Sequence, residues 1–457
     1  LRPALSGLTR ESFMRHLVIL SFCLLVSCGP APVAVSKAAV HPDGFAVTGA
    51  QTRPNAQIAA DFMDLEFQME SGRMLPILTR FEGSVSVRMT GAVPPLAEQD
   101  LMQLLGRLRA EADIDVALVP PGAPAQITIE FASRAELQRL EPSAACFVAP
   151  NVATLAEFRA RRGAAALDWQ GLQRRDRLAI FVPSDTSPQE VRDCLHEEVA
   201  QALGPLNDLF RLPDSVFNDD NFQSVLTDFD MLILRLHYAP ELANGMTRAE
   251  VAARLPGLLA GMNPQGGYPG SWSQPVTPRA WTDALRTALG TRGTAATRSP
   301  AAKRMLAMAQ TQGWTDNRLG FSWFAVGRLL APTDPAGAER AYRAAAEVYA
   351  GLPDDGVHLS HALLQLAALA LGDGRVDQAV TLADQALPLA ARGQNAALQA
   401  SLMMIKAEAL TQLGRDTEAA ALRLDSLAAA RYGFGDAQAV RAREAEIAAL
   451  ARRGLGG

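Results

Sequence analysis

Apolar residues recur at two different periods along this chain, and the change from one to the other divides it. Residues 62–96 mix apolar and polar positions without helical period, and 83–89 alternate as a strand does. Residues 98–114 instead place Leu101, Leu104, Leu105 and Leu108 on one face, which predicts an amphipathic helix. Alternation returns over 125–131, and 177–182 reads as a third strand. Ser187 and Pro188 then supply a helix cap and a first-turn proline. The order is mixed α/β. Over 247–299 the chain turns Gly- and Pro-rich, with a breaker cluster at 263–270, and predicts a linker containing some helix. Beyond Pro300, Ala and Leu at helical spacing and few strand formers predict an all-α region, 300–457.

Within that region Ala338, Ala379 and Ala419 align at a spacing of roughly 40 residues, with short turns such as Gly372-Asp373-Gly374 and Gly414-Arg415-Asp416. Each unit reads as a helix pair. The small residues at the crossings resemble tetratricopeptide repeats, on a longer period, and a plain helical bundle is the other reading. Repeats of that kind bury a core by leaning on neighbours and bind partners on their concave face.

At 457 residues the chain has length for two or three folded units. A hydrophobic fraction of 49% supplies cores, while a net charge of −5 argues against a phosphate-binding surface, so nucleic acid is not an expected partner. Met14-Arg15-His16 precede an apolar run, 17–25, too short to serve as a membrane anchor, which predicts a targeting leader starting at Met14. The run ends in Leu25-Val26-Ser27-Cys28 and resembles the lipobox of bacterial lipoproteins. The resemblance implies a signal peptide over 1–28, acylation of Cys28 and a chain anchored by lipid in a bacterial envelope membrane, facing the periplasm. The membrane is then touched through the anchor alone. An ordinary secretory peptide is the alternative. Gly29-Pro30-Ala31-Pro32 opens a tether over 29–61. Outside the leader stand Cys146 and Cys194, either as two buried thiols or, in an oxidising compartment, as a disulfide.

The candidate chemistry lies in 194–208. His196-Glu197 opens no simple zincin motif, because the position four residues on is Ala200. One residue later the frame fits better. Glu197-Glu198-Val199-Ala200-Gln201-Ala202-Leu203-Gly204-Pro205-Leu206-Asn207 resembles the matrixin pattern H-E-x-x-H-x-L-G-x-x-H of the metzincin peptidases. Asp214-Ser215-Val216-Phe217 is similar to that family's Ser-x-Met turn, with Phe217 in place of methionine, and 226–238 resembles its closing helix. The chain is also similar to bacterial lipoproteins that carry this Glu-Glu-x-x-Gln-x-Leu-Gly signature.

The resemblance implies an α+β, zincin-like domain over 62–246. It puts Glu198 in the general-base slot and Glu197, Gln201 and Asn207 in the three ligand slots. Zinc prefers imidazole or thiolate, so one carboxylate with two amide oxygens is a poor set for it, and no cofactor is expected. Calcium or magnesium would instead take oxygens from Glu197, Asn207 and Asp208. Without a metal nothing brings a water near neutrality in pKa, and Glu198 alone makes no comparable nucleophile. The expectation is a pseudopeptidase that binds a protein or peptide through its cleft or its helical repeats. An active peptidase with His196 or His237 as replacement ligand, and a scaffold acting through the repeats, are the alternatives.

Overall fold

Strand alternation and helix periodicity resolve into two main cores, joined by the loop 204–227 and by helix 188–203 packing against helix 416–434. The computed structural model describes residues 53–267, 275–290, 293–352 and 356–454. The leader, Cys28 and most of the tether lie outside these residues.

The N-terminal part is a mixed sheet with helices on both faces. Its strands are β1 (Val85–Gly91), β2 (Val116–Leu118), β3 (Ile127–Ala132), β4 (Phe147–Pro150) and β5 (Leu178–Pro183). They lie in the order β2-β1-β3-β5-β4, all pairs parallel except β4 with β5. Registers such as Val87↔Ile127 and Ile129↔Ile180 keep the apolar sets on one side. Helices α1 (Asn55–Glu66), α2 (Ala97–Glu111), α3 (Arg134–Leu140), α4 (Leu155–Arg161), α5 (Pro188–Leu203), α6 (Asp228–His237) and α7 (Arg248–Met262) complete the unit. Ile127, Ile129 and Ile180 face a core shared with α2, α5 and α6, whereas Ala179 and Phe181 face a smaller one beneath α3 and α4. β5 is buried at every position, as a strand covered on both faces must be.

The helical part comprises α8 (Arg279–Leu289), α9 (Ala295–Thr311), α10 (Asn317–Leu330), α11 (Pro335–Ala350), α12 (Val357–Gly372), α13 (Val376–Arg392), α14 (Ala396–Gln412), α15 (Asp416–Phe434) and α16 (Ala437–Gly454). Consecutive helices pack as hairpins, α10 with α11, α12 with α13 and α14 with α15. Ala338, Ala379 and Ala419 each stand fourth in α11, α13 and α15, and each is wholly buried. The alignment read from the sequence is therefore a packing register. Gly374 and Gly414, both at φ 73°, make the matching left-handed turns before α13 and α15. Small residues admit aromatic rings at the crossings: a Cβ on Gly320 would lie 2.4 Å from Tyr349.

Two boundaries fall elsewhere than the composition places them. Helix α1 occupies 55–61 of the expected tether and buries Ile58 and Phe62 in the first core. Helix α7 occupies the first part of the expected linker and buries Val251, Leu255 and Leu259 in that same core. α8 belongs to the second core through Trp281, which meets Trp314 edge-on at 5.7 Å between ring centroids. Among the described residues no helix is long and apolar enough to cross a membrane.

Candidate functional site

Helix α5 carries the motif and is fixed at both ends. Ser187 accepts a hydrogen bond from the Glu190 N–H and Pro188 opens the helix. At the other end the buried Arg175 guanidinium donates to the carbonyls of Gln201 and Ala202, both at 2.8 Å, and to that of Gly204 at 2.5 Å. Those carbonyls would otherwise be orphaned by the helix terminus. A Cβ on Gly204 would stand 2.7 Å from Leu234, so glycine there permits α6 to close on α5. Tyr238 tightens the same joint by donating to the Leu203 carbonyl at 3.0 Å.

Cys194 of α5 is bonded to Cys146, with the two Cα atoms 6.0 Å apart. The bridge joins the motif helix to the start of β4, the edge strand of the sheet. Of the two readings open for these cysteines, the disulfide is the one found.

Leu195 and Val199 point into the core with no exposed surface. Each contributes about 1.5–3 kcal/mol of burial, enough to hold α5 in place while polar side chains occupy its other face. Glu198 is 3% exposed, and its Oε2 has no hydrogen-bond partner among the described residues. Burial, and after it the charges of Glu197 and Glu70, push the Glu198 carboxyl well above the usual range. Glu197 is pushed up to about 8 by burial and by Glu70, Asp219 and Asp193. Asp208 is driven well above the usual range by burial, Glu70, Glu197 and Asp219. Removal from water and like charge act in the same direction on all three.

The third ligand slot is engaged elsewhere. Asn207, 4% exposed, donates through Nδ2 to the Asp64 carbonyl at 2.9 Å, and Gln201 is also buried. Glu197, Gln201 and Asn207 therefore offer one carboxyl and two amides, one of which is tied to backbone. This donor set does not fit zinc. Among the described residues no three His, Cys, Asp or Glu side chains are grouped to hold a metal ion.

Each histidine proposed as a replacement ligand has its Nδ1 engaged away from the ligand slots. Nδ1 of His196 accepts from the Leu226 N–H at 3.1 Å, which places the ring proton on Nε2. Burial first, then Arg192 and Arg107, hold His196 well below the usual histidine range, so the ring is neutral. His237 is fully buried with Nδ1 2.7 Å from Glu66 Oε1.

The turn at Ser215 and Phe217 is pinned to the start of α6. Asp230 accepts from the Ser215 hydroxyl, from the Val216 N–H at 3.2 Å and from the Thr227 N–H at 2.9 Å. Ser215 Oγ in turn accepts from the Phe217 N–H at 3.0 Å. Phe217 has no exposed surface and belongs to the core that holds Val199 and Leu203.

The loop between α5 and α6 is shared by both cores. Leu212, Val216 and Phe217 lie in the first, and Phe210 and Phe222 in the second, where Phe210 meets Trp281 at 5.1 Å. Glu70, Asp219 and Asp220 complete the surroundings of the site and were not assigned roles from the sequence. The only local signal for Glu70 is the turn at Gly72, and nothing in the spacing connects it with a helix more than a hundred residues away.

Residues 55–257 match a family described as a protein of unknown function (DUF2927). The matched segment begins at α1 and ends within α7, so it spans the α/β part and none of the helical one. No curated protein and no solved structure matches the chain.

Proposed function

We propose that this chain is a lipid-anchored, extracytoplasmic binding protein whose α/β part is a metzincin-like scaffold used without zinc to hold a peptide or an extended protein segment. Several features support the scaffold reading. A mostly parallel sheet with one antiparallel edge strand precedes the motif helix, a pinned Ser-x-Phe turn follows it, and α6 closes the unit against Gly204. The hairpins at the C-terminus support a tetratricopeptide-like reading of that part, through the common position of Ala338, Ala379 and Ala419. Fold alone does not give function, so the reading rests on the site.

The observation that carries it is the chemistry of the ligand slots. Glu197, Gln201 and Asn207 lack an imidazole or thiolate, Asn207 is committed to Asp64, and His196 and His237 each have Nδ1 engaged by another partner. Peptide capture needs neither metal nor nucleophile. β4 is paired on one side only, and a free strand edge can accept an extended segment through backbone hydrogen bonds.

The test is elemental analysis of the mature, untagged chain purified without chelator or added metal, beside Glu197→Ala and Gln201→Ala. We expect no stoichiometric zinc in any of the three, and no peptide hydrolysis that depends on Glu198 when Glu198→Gln is assayed. Zinc at one per chain that disappears in both alanine variants overturns the proposal in favour of an active peptidase.

A further inference from the structure

Five carboxyl groups from three separate segments act on one another. Glu70 comes from the turn after α1, Glu197 and Glu198 from α5, and Asp208 and Asp219 from the loop that joins the two cores. They run from the surface inward: Glu70 and Asp219 are exposed, Glu197 and Asp208 half-buried, and Glu198 buried. The Glu70 and Asp208 carboxyls are close enough to share a hydrogen bond when one of them is protonated. The charges acting on Glu197 are those of Glu70, Asp219 and Asp193, and those acting on Asp208 are Glu70, Glu197 and Asp219.

Little cationic charge answers them. Arg192 lies 2.6 Å from Asp193 and takes that residue out of the group. Arg286 of α8 acts on Glu70 and Asp219 at the rim, but its side chain is 58% exposed and shared with Asp283, so water screens it. Farther in, Glu198 Oε2 and Asp208 Oδ1 are buried without a hydrogen-bond partner among the described residues. A donor arriving from outside would give these buried atoms the partner they lack.

We infer that Glu70, Glu197, Asp208 and Asp219, with the unpartnered Glu198 at their floor, form a subsite for the cationic group of a bound peptide, an ammonium or a guanidinium. The inference rests on the peptide-binding reading and adds the class of residue recognised. Cys194, three residues before Glu197, is bonded to Cys146 at the head of β4, which ties the helix that carries Glu197 and Glu198 to the edge strand. Ammonium and guanidinium groups carry several N–H donors pointing in different directions and can satisfy acceptors that are spread apart. A divalent ion needs its ligands gathered around one point, and among the described residues no such group of three is present.

The experiment is fluorescence anisotropy of the mature full chain with labelled, N-acetylated peptides of one length and one β-forming sequence, bearing Lys, Arg, norleucine or Glu at the centre. A norleucine peptide with a free N-terminus, labelled at its other end, separates an α-amine from a side chain as the source of charge. Tighter binding by about tenfold or more of a Lys, Arg or free-amine peptide over the acetylated norleucine and Glu peptides is the expected result. Glu197→Gln with Asp208→Asn should remove that preference. Glu70→Gln, at an exposed position, should reduce it. Equal affinity for all the peptides overturns the subsite while leaving peptide binding intact. Binding of none overturns the peptide-binding reading and the subsite with it. Stoichiometric binding of calcium chloride that displaces the Lys peptide assigns the carboxylates to a metal and also overturns the inference.

Discussion

Asp220 Oδ2 lies 2.7 Å from Nε2 of His358, with both side chains fully buried, and this contact ties the loop beside the candidate site to helix α12 of the second core. Asn317 donates to the same oxygen at 2.7 Å and Asn218 at 3.0 Å, while the Phe222 N–H donates to Oδ1 at 3.0 Å. Phe222 itself stacks on His361 of α12 at 4.4 Å between ring centroids. The two parts of the chain are therefore joined by a satisfied polar group enclosed by aromatic rings. The loop that carries Asp208 and Asp219 cannot shift without disturbing α12.

That contact predicts a stability loss with a defined pH dependence. Asp220→Asn removes the charge and leaves His358 facing an amide, which should cost about 3–5 kcal/mol in urea denaturation at neutral pH. Burial alone would raise the Asp220 carboxyl, but the charge and hydrogen bond of His358, with Asn317 and the Phe222 N–H, outweigh it and hold the group below the usual range. A carboxyl depressed in the folded state stabilises above its unfolded pKa, about 3.9, and loses that contribution as pH falls through the folded value. The gap between wild type and Asp220→Asn should thus be constant from about pH 5 to 7 and narrow below about pH 4. A gap that does not change on acidification would show that an ionised Asp220 is not what joins the parts.

The Cys146–Cys194 bond closes a separation of 48 residues, for which chain entropy gives about 3–4 kcal/mol. Replacing both cysteines with alanine should lower stability by about that amount. It should also weaken any peptide binding at β4, because the head of the strand is then released from α5. Denaturation curves and anisotropy on one preparation separate the two effects. A variant that melts earlier yet binds peptide unchanged would place the ligand away from this edge.

Much of this arrangement was legible in the sequence, and the failures have physical reasons. β1 and β3 alternate and β5 is a continuous apolar run of six residues, so all three are legible, whereas β2 and β4, with three and four residues, are too short to display a pattern. The first part of α1, 55–61, reads as tether because polar Asn55 and Gln57 and the preceding Pro54 mask the spacing of Ile58, Phe62 and Leu65. Helix α7 was hidden by an internal proline, Pro256, and by the breaker cluster that follows it. Glu197 and Glu198 could be found because they are local to a motif. Glu70, Asp219 and His358 could not, since their meeting depends on contacts across the fold that no spacing records.

Cys28 lies outside the described residues, and its role is tested in cells. Cys28→Ser should move the chain from the membrane fraction to the soluble extracytoplasmic fraction and abolish incorporation of labelled palmitate. Retention of label in the variant would locate acylation elsewhere, and loss of export would point to a leader of a different kind.

Phe217 offers the sharpest separation between a packing role and a residue of chemical importance. It stands where the metzincin turn that this segment resembles in sequence carries methionine, it has no exposed surface, and its backbone is held by Ser215 and by the Leu209 N–H, which donates to its carbonyl at 2.9 Å. Truncation to alanine removes a whole buried ring from the core around Val199 and Leu203 and should cost about 3–5 kcal/mol. Methionine fills similar volume with a flexible chain, so Phe217→Met should cost less than about 1.5 kcal/mol. Because the ligand slots above the turn remain Glu197, Gln201 and Asn207, restoring methionine should produce neither zinc binding nor hydrolysis. Thermal denaturation together with elemental analysis of the two variants checks both halves of the argument. Zinc uptake on Phe217→Met alone would mean that the turn, and not the loss of imidazoles, is what keeps the metal out.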